Sequence, residues 1–316
     1  MKLFVSPTSF LKPENAQAKA MLEDFADEIT YNDLGVPLKG DEILKRLDGA
    51  NGYIAGLDYI TADVVSRIPE SLKVISRYGA GVDRVDIAAC KERGIAVTNT
   101  PGANATAVCE LALGLMLALA RNIPALHYAV MGGGWPRVSG MELCGRTLGI
   151  VGMGAIGKKL AIRAKALEMN VVAYDPYFDE SFAAVHGIKG VTLNELIREA
   201  NVISLHLPLT EATKNIINAE RIAAMRYGTI LVNTARGGLL DEVAAAEAVR
   251  AGRLQVGLDA FEEEPPSASP LKGLEHVVFT PHTGAHTAEA VARMGMMSVE
   301  NAIAVLTGKP CPYLII

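Results

Sequence analysis

Two apolar periodicities alternate along the first hundred positions. KLFVS at 2–6, GYIAG at 52–56, LKVISRYG at 72–79 and AVTNT at 96–100 are short apolar runs of the kind that form buried strands. PENAQAKAMLEDFADE at 13–28, TADVVSRI at 61–68 and VDIAACKERG at 85–94 carry helical spacing between them. Pro13 suits a first helical turn and Gly94 a helix end. Alternation of this kind predicts a parallel sheet with helices on both faces.

Residues 104–121 read as one apolar helix, and the Gly-rich MGGGWP at 131–136 then breaks regular structure. The run LALGLMLALA at 111–120 falls far short of the roughly 20 residues of a membrane span and reads as a buried helix. From residue 147 the alternation restarts. Its strand candidates are TLGIVG at 147–152, VVAYD at 171–175, VISLHL at 202–207, TILVNT at 229–234, QVGLDAF at 255–261 and HVVFTP at 276–281. Helices are predicted between most of them, including 158–168 and 241–252. Six such strands make a full doubly wound sheet. The segment 285–308 reads as one helix, and its place after the sixth strand predicts a return to the first domain.

Composition narrows the classes. The 316 residues give roughly two domains, and 50% hydrophobic with 21% charged residues excludes a largely disordered chain. Thirty Lys and Arg against 35 Asp and Glu leave a net charge of −5. With no dense basic run, this argues against binding a nucleic-acid backbone. The opening MKLFVSPTSF has no apolar signal core, and the scattered Cys90, Cys109, Cys144 and Cys311 form no CxxC pair. These features predict reduced thiols in a cytoplasmic protein, with no metal site and no membrane partner.

Chemistry concentrates in the second half. Gly152-Met153-Gly154-Ala155-Ile156-Gly157 fits GxGxxG, a weak signal alone but here placed between a strand and a helix, as a dinucleotide turn requires. Gly152 permits the turn, Gly154 admits a pyrophosphate, and Gly157 lets helix and strand pack closely; the helix start adds free N–H groups and partial positive charge. Asp175 ends the second strand, where a carboxylate accepts the adenosine-ribose hydroxyls of NAD and repels the 2′-phosphate of NADP. A ligand-free turn, with Asp175 capping it before Pro176, is the plainer alternative.

Arg236, Glu264 and His282 each follow a predicted strand, the fourth, fifth and sixth. They would therefore emerge at one sheet edge, where doubly wound folds bind ligands. Together they offer a cation for an anionic substrate, a carboxylate and a general base. Gly237 and Gly238 are expected to leave space around Arg236 for a ligand. Singly, the three could be a surface cation, a solvated acid and a structural histidine.

The motifs GMGAIG, YDP, SLHLPLT, NTARGGLLDE, GLDAFEEEPP and TPHTGAHT together resemble the D-isomer-specific 2-hydroxyacid dehydrogenases, from about residue 40 to the C-terminus. RYGAGVDRVD at 77–86 resembles the phosphoglycerate dehydrogenase branch. The resemblance implies an α/β fold of two doubly wound parallel-sheet domains. These would be a Rossmann NAD-binding domain at 101–284 and a flavodoxin-like substrate domain combining 1–100 with 285–316. It implies NAD contacts from Gly152, Gly154, Ala155, Ile156, Gly157, Asp175, His206, Leu207, Pro208, Thr234, Ala235, Asp259 and Gly284, Asp259 holding the nicotinamide amide. It implies Arg236, Glu264 and His282 as catalytic residues, with Glu264 stabilising the imidazolium. Backbone N–H groups of Tyr78, Gly79 and Ala80 would hold the substrate carboxylate. Arg77 would hold an anionic far end, while Ala55 stands where a second arginine is expected. A homodimer through the helix at 104–121 and the arm bearing Trp135 is implied as well. The chain would lack the C-terminal regulatory domain of long phosphoglycerate dehydrogenases. Glyoxylate or hydroxypyruvate reduction, and NAD-sensing corepressors built on the same fold, are the alternatives.

Overall fold

In the computed structural model, which describes residues 1–316, every ladder between strands is parallel and the strands fall into two sheets. The chain divides into two compact units. Met1–Asn104 with Ala285–Ile316 form one, and Ala105–Gly284 the other.

The first unit holds β1 (Lys2–Val5), β2 (Glu28–Tyr31), β3 (Gly52–Ala55), β4 (Val74–Arg77) and β5 (Ala96–Thr98) in the order β2-β1-β3-β4-β5. This is the flavodoxin-like order, with its switch point between β1 and β3. Successive side chains face opposite sides of the sheet. Phe4, Tyr53 and Ile75 accordingly join one apolar cluster, with Ile43, Val64 and Cys90 of the covering helices. Leu3, Val5, Ile54 and Val74 join another, with Leu22, Met294 and Val299. Each fully buried Leu, Ile or Phe in such layers contributes about 1.5–3 kcal/mol.

Boundaries differ from expectation for local reasons. The first helix ends at Phe25, because Ala26 is already extended, and Glu28–Tyr31 forms an edge strand instead of a last helical turn. The helix Asp41–Arg46 has six residues, too few to show a period. The last helix, Ala288–Leu306, starts later than expected because the Thr287 side chain caps it, accepting the Ala290 amide at 3.2 Å. It packs in the first unit.

The second unit holds β6 (Thr147–Val151), β7 (Asn170–Tyr174), β8 (Lys189–Gly190), β9 (Val202–Leu205), β10 (Thr229–Asn233), β11 (Leu254–Leu258) and β12 (Val277–Phe279). Their order is β12-β11-β10-β9-β6-β7-β8, a Rossmann sheet of seven strands rather than six. The additional β8 has two residues, both exposed, and so leaves no apolar signature. Along β10, Ile230 and Val232 face one apolar layer and Leu231 the other. Helix Ala105–Ala120 lies in the first of these layers, close enough that a Cβ on Gly257 would come within 3.2 Å of the Leu115 Cβ. A second helix, Ile123–Met131, follows after Asn122, which adopts φ +53°. No single helix is long and apolar enough to cross a membrane.

Candidate active site

The three glycines of the turn after β6 do three different jobs. Gly152 sits at φ +105°, and a Cβ there would lie 2.7 Å from the His206 carbonyl carbon. A Cβ on Gly157 would lie 2.1 Å from the Gly152 carbonyl oxygen, so the helix can approach the strand only without a side chain. Gly154 faces open space, with nothing within 4 Å of an added Cβ. It caps helix Ala155–Ala166, whose first amides, those of Ala155, Ile156 and Gly157, have no acceptor one turn back. β6 adjoins β9, and the strand order reverses there, which is where doubly wound sheets take ligands.

Asp175 is bound to this turn. Its Oδ2 accepts the Met153 amide at 2.6 Å and its Oδ1 the Tyr177 amide at 2.7 Å. Each carboxylate oxygen has a second lone pair, so capping and ribose recognition are compatible. Two buried polar atoms at neighbouring strand ends lack a partner: His206 Nδ1 after β9 and Thr234 Oγ1 after β10. Burial pushes His206 down to about 4, so its ring is neutral at ordinary pH, with Nε2 2.9 Å from Ser204 Oγ. Unpaired buried polar atoms are costly, and here they line up with an open glycine turn. That is the donor set a dinucleotide needs, so the residues present fit NAD.

The acid–base group lies on the same sheet, past β11 and β12. His282 Nδ1 is 2.7 Å from Glu264 Oε1, and the two side chains are 27% and 22% exposed. This pairing turns Nε2 away from the carboxylate. Arg236, past β10, is half-buried; its Nη1 donates to Ala235 O at 2.8 Å, while its carbonyl accepts Asn233 Nδ2 at 2.8 Å. Gly237 departs from expectation. It does not open space for a ligand, because its Cβ would lie 1.8 Å from the Phe261 carbonyl carbon and 2.1 Å from Glu262 N. The glycine instead lets the arginine loop lie directly on the loop that carries Glu264.

Asp259 is 1% exposed. It accepts the Thr280 hydroxyl at 2.6 Å and the Thr283 and Gly284 amides at 2.8 Å, bracketing His282. These bonds shape the histidine loop, and one of them takes the Gly284 amide. Sequence reading missed Glu242. This residue, 4% exposed, accepts the Glu262 amide at 2.8 Å and the Ser269 hydroxyl at 2.6 Å, tying both ends of the Glu264 loop.

In the first unit, two expectations are corrected. Arg77 is not an accessible cation: it is 4% exposed, and its Nη1 donates to Ala55 O at 2.7 Å and to Gly56 O, its Nε to Gly81 O at 3.0 Å. It ends the interior strand β4 and braces the loops around it. The Tyr78 amide is not open to a ligand either, since it continues the ladder to Ala55 O at 3.0 Å. The amides of Gly79 and Ala80 donate to nothing in the chain.

Fold and turn together define a dinucleotide-binding protein with a His–carboxylate pair on its binding edge. Residues 113–284 match the D-isomer specific 2-hydroxyacid dehydrogenase NAD binding domain. A hydroxypyruvate reductase of Thermotoga maritima is 45% identical over 271 residues, 84% of this chain and 87% of that protein. A D-3-phosphoglycerate dehydrogenase of Methanocaldococcus jannaschii is 43% identical over 288 residues, 90% of this chain but 55% of the relative, so this chain spans about half its length. The crystal structure of D-lactate dehydrogenase from Aquifex aeolicus, complexed with NAD and lactic acid, superposes with a TM-score of 0.84. It is 29% identical, with 98% of this chain and 96% of that one covered. The chain belongs to the D-isomer specific 2-hydroxyacid dehydrogenases, and 113–284 is its NAD-binding domain.

Proposed function

We propose that this chain interconverts a small 2-hydroxy acid and its 2-keto acid with NAD. The observation that carries the reading is the 2.7 Å pair of His282 and Glu264 in the same unit as the glycine turn. NAD, when bound, supplies the hydride acceptor or donor. His282 Nε2 takes the hydroxyl proton in oxidation and returns it in reduction. Glu264, on Nδ1, fixes the tautomer and stabilises the imidazolium. Arg236 grips the substrate carboxylate and polarises the carbonyl. In the first unit, the open Gly79 and Ala80 amides are N–H donors suited to a substrate carboxylate.

Burial of Arg77 and alanine at 55 remove both cations that would favour a phosphate at the far end. The reading therefore moves toward glyoxylate and hydroxypyruvate, and away from phosphoglycerate. Asp175 and the uncharged Pro176, Tyr177 and Phe178 favour NAD over NADP. The test is turnover of glyoxylate, hydroxypyruvate, pyruvate and phosphohydroxypyruvate with NADH or NADPH. A folded protein inactive on all four with NADH sinks the proposal. Equal use of the two nucleotides sinks the role given to Asp175.

Arg236→Lys is expected to cost more than about tenfold in kcat/KM, or about 1.4 kcal/mol, because an ammonium cannot make the two parallel bonds of a guanidinium. Near-normal kinetics in the folded variant would refute the carboxylate clamp. The reading also includes a homodimer. Tyr128, Met131 and Trp135 are 75%, 74% and 78% exposed, an apolar surface that a second copy would cover. Light scattering at the mass of one 33.5 kDa chain would reject it. The four free cysteines fit a cytoplasmic setting.

A further inference from the structure

The polar residues buried at the C-terminal ends of β1, β3 and β4 form one connected network that the reaction itself does not use. Asp58, 1% exposed, is its acceptor. Its Oδ1 takes the Leu38 amide at 2.6 Å, and its Oδ2 takes the Tyr53 hydroxyl at 2.7 Å, the Gly56 amide at 3.1 Å and the Ser6 hydroxyl. Burial and the Asp58 charge hold the Tyr53 phenol well above its ordinary range, so it remains a donor. Arg77 is the opposing charge. Gly56 joins the two, because its amide faces Asp58 and its carbonyl faces Arg77. A buried guanidinium and a buried carboxylate are each costly alone, and here each is hydrogen-bonded to the same residue, Gly56.

Arg77 carries the network into the loop after β4, where it shares the hold on the backbone with Asn99 and Thr100. Three successive carbonyls of that loop are pinned. Gly79 O accepts the Thr100 amide at 3.1 Å, Ala80 O accepts Asn99 Nδ2 at 2.7 Å, and Gly81 O accepts Arg77 Nε at 3.0 Å. With the carbonyls fixed, the adjacent amides of Gly79 and Ala80 are left without acceptors, as in an anion-binding nest of successive N–H groups. Gly79 sits at φ +149°, and a Cβ there would lie 3.3 Å from Arg77 Nη2, so loop and guanidinium are fitted to each other.

We propose that Asp58 and Arg77 are positioning residues. They act as one buried brace that presents the Gly79 and Ala80 amides to the carboxylate every substrate carries, and Arg77 does not read the substrate's far end. This deepens the proposed function and rests on its assignment of those amides to the substrate carboxylate. In Arg77→Lys the charge stays, but one ammonium cannot span the carbonyls on both sides of the loop. In Asp58→Asn the shape stays, but the amide nitrogen cannot accept from Ser6, Tyr53 or Gly56.

The test measures oxalate affinity by calorimetry, KM and kcat for glyoxylate and hydroxypyruvate with NADH, and Tm, on the full chain and both variants. Each variant is expected to bind oxalate at least about tenfold more weakly, equivalent to about 1.4 kcal/mol. KM should rise by a similar factor for both keto acids, with a smaller change in kcat. A KM effect confined to hydroxypyruvate would return Arg77 to the far end and overturn the brace. A fall in Tm with oxalate affinity and KM unchanged would make the network merely structural and also overturn it. Absence of oxalate binding in the wild type would remove the amide site. Oxalate binding without keto-acid turnover would count against the proposed function and leave the brace to be judged on affinity alone.

Discussion

Replacing His282 with asparagine is expected to lower kcat at least about a hundredfold, the lower end of what a positioned acid–base group contributes. Asparagine suits the test because His282 adopts φ +50°, a conformation that asparagine tolerates better than most residues. The loop should keep its shape, since Asp259 holds it through Thr280, Thr283 and Gly284 without using the ring. What is lost is a group that moves a proton and is oriented by Glu264 at 2.7 Å. NADH affinity, followed by fluorescence titration, should stay within about threefold, a change below 1 kcal/mol. A kcat within a few-fold of wild type, in a variant that binds NADH normally, would mean that another group carries the proton.

The sequence made the second unit more legible than the first. Gly152, Gly154 and Gly157 could be read because each answers a separate local need, and the structure gives them a positive φ, open space and a helix–strand contact in turn. Arg236, Glu264 and His282 could be placed on one edge because parallel strands all end on the same side of a sheet. Arg77 could not be read. Its acceptors are the carbonyls of Ala55, Gly56 and Gly81, and nothing in a sequence shows which way a carbonyl points. Gly237 was open to misreading for the same reason, since its neighbour is the backbone of Phe261, 24 positions away. Asp58 did leave a trace, as a lone acid in the apolar run GYIAGLDYI, where a carboxylate must be either exposed or well partnered.

The glycine turn allows binding to be separated from folding by two substitutions three residues apart. Gly157→Ala puts a Cβ 2.1 Å from the Gly152 carbonyl oxygen and 3.2 Å from Ile150 Cγ2, so helix Ala155–Ala166 must move off β6. Overpacking against rigid backbone costs about 1–3 kcal/mol, and at about 2–4 °C per kcal/mol in a domain this size Tm should fall by several degrees. NADH binding should weaken as well, because the amides at the helix start move with the helix. Gly154→Ala is different. Its φ of −71° and ψ of −161° are open to alanine, and nothing lies within 4 Å of the new methyl group, so Tm should hold within about 1 °C. The methyl group projects into space that the structure leaves to a ligand, and NADH should bind at least about tenfold more weakly, a loss of about 1.4 kcal/mol. Thermal melts of the two variants and NADH titrations read both quantities. If Gly154→Ala binds NADH as wild type does, the pyrophosphate does not approach this glycine, and the dinucleotide must be seated elsewhere on the sheet edge.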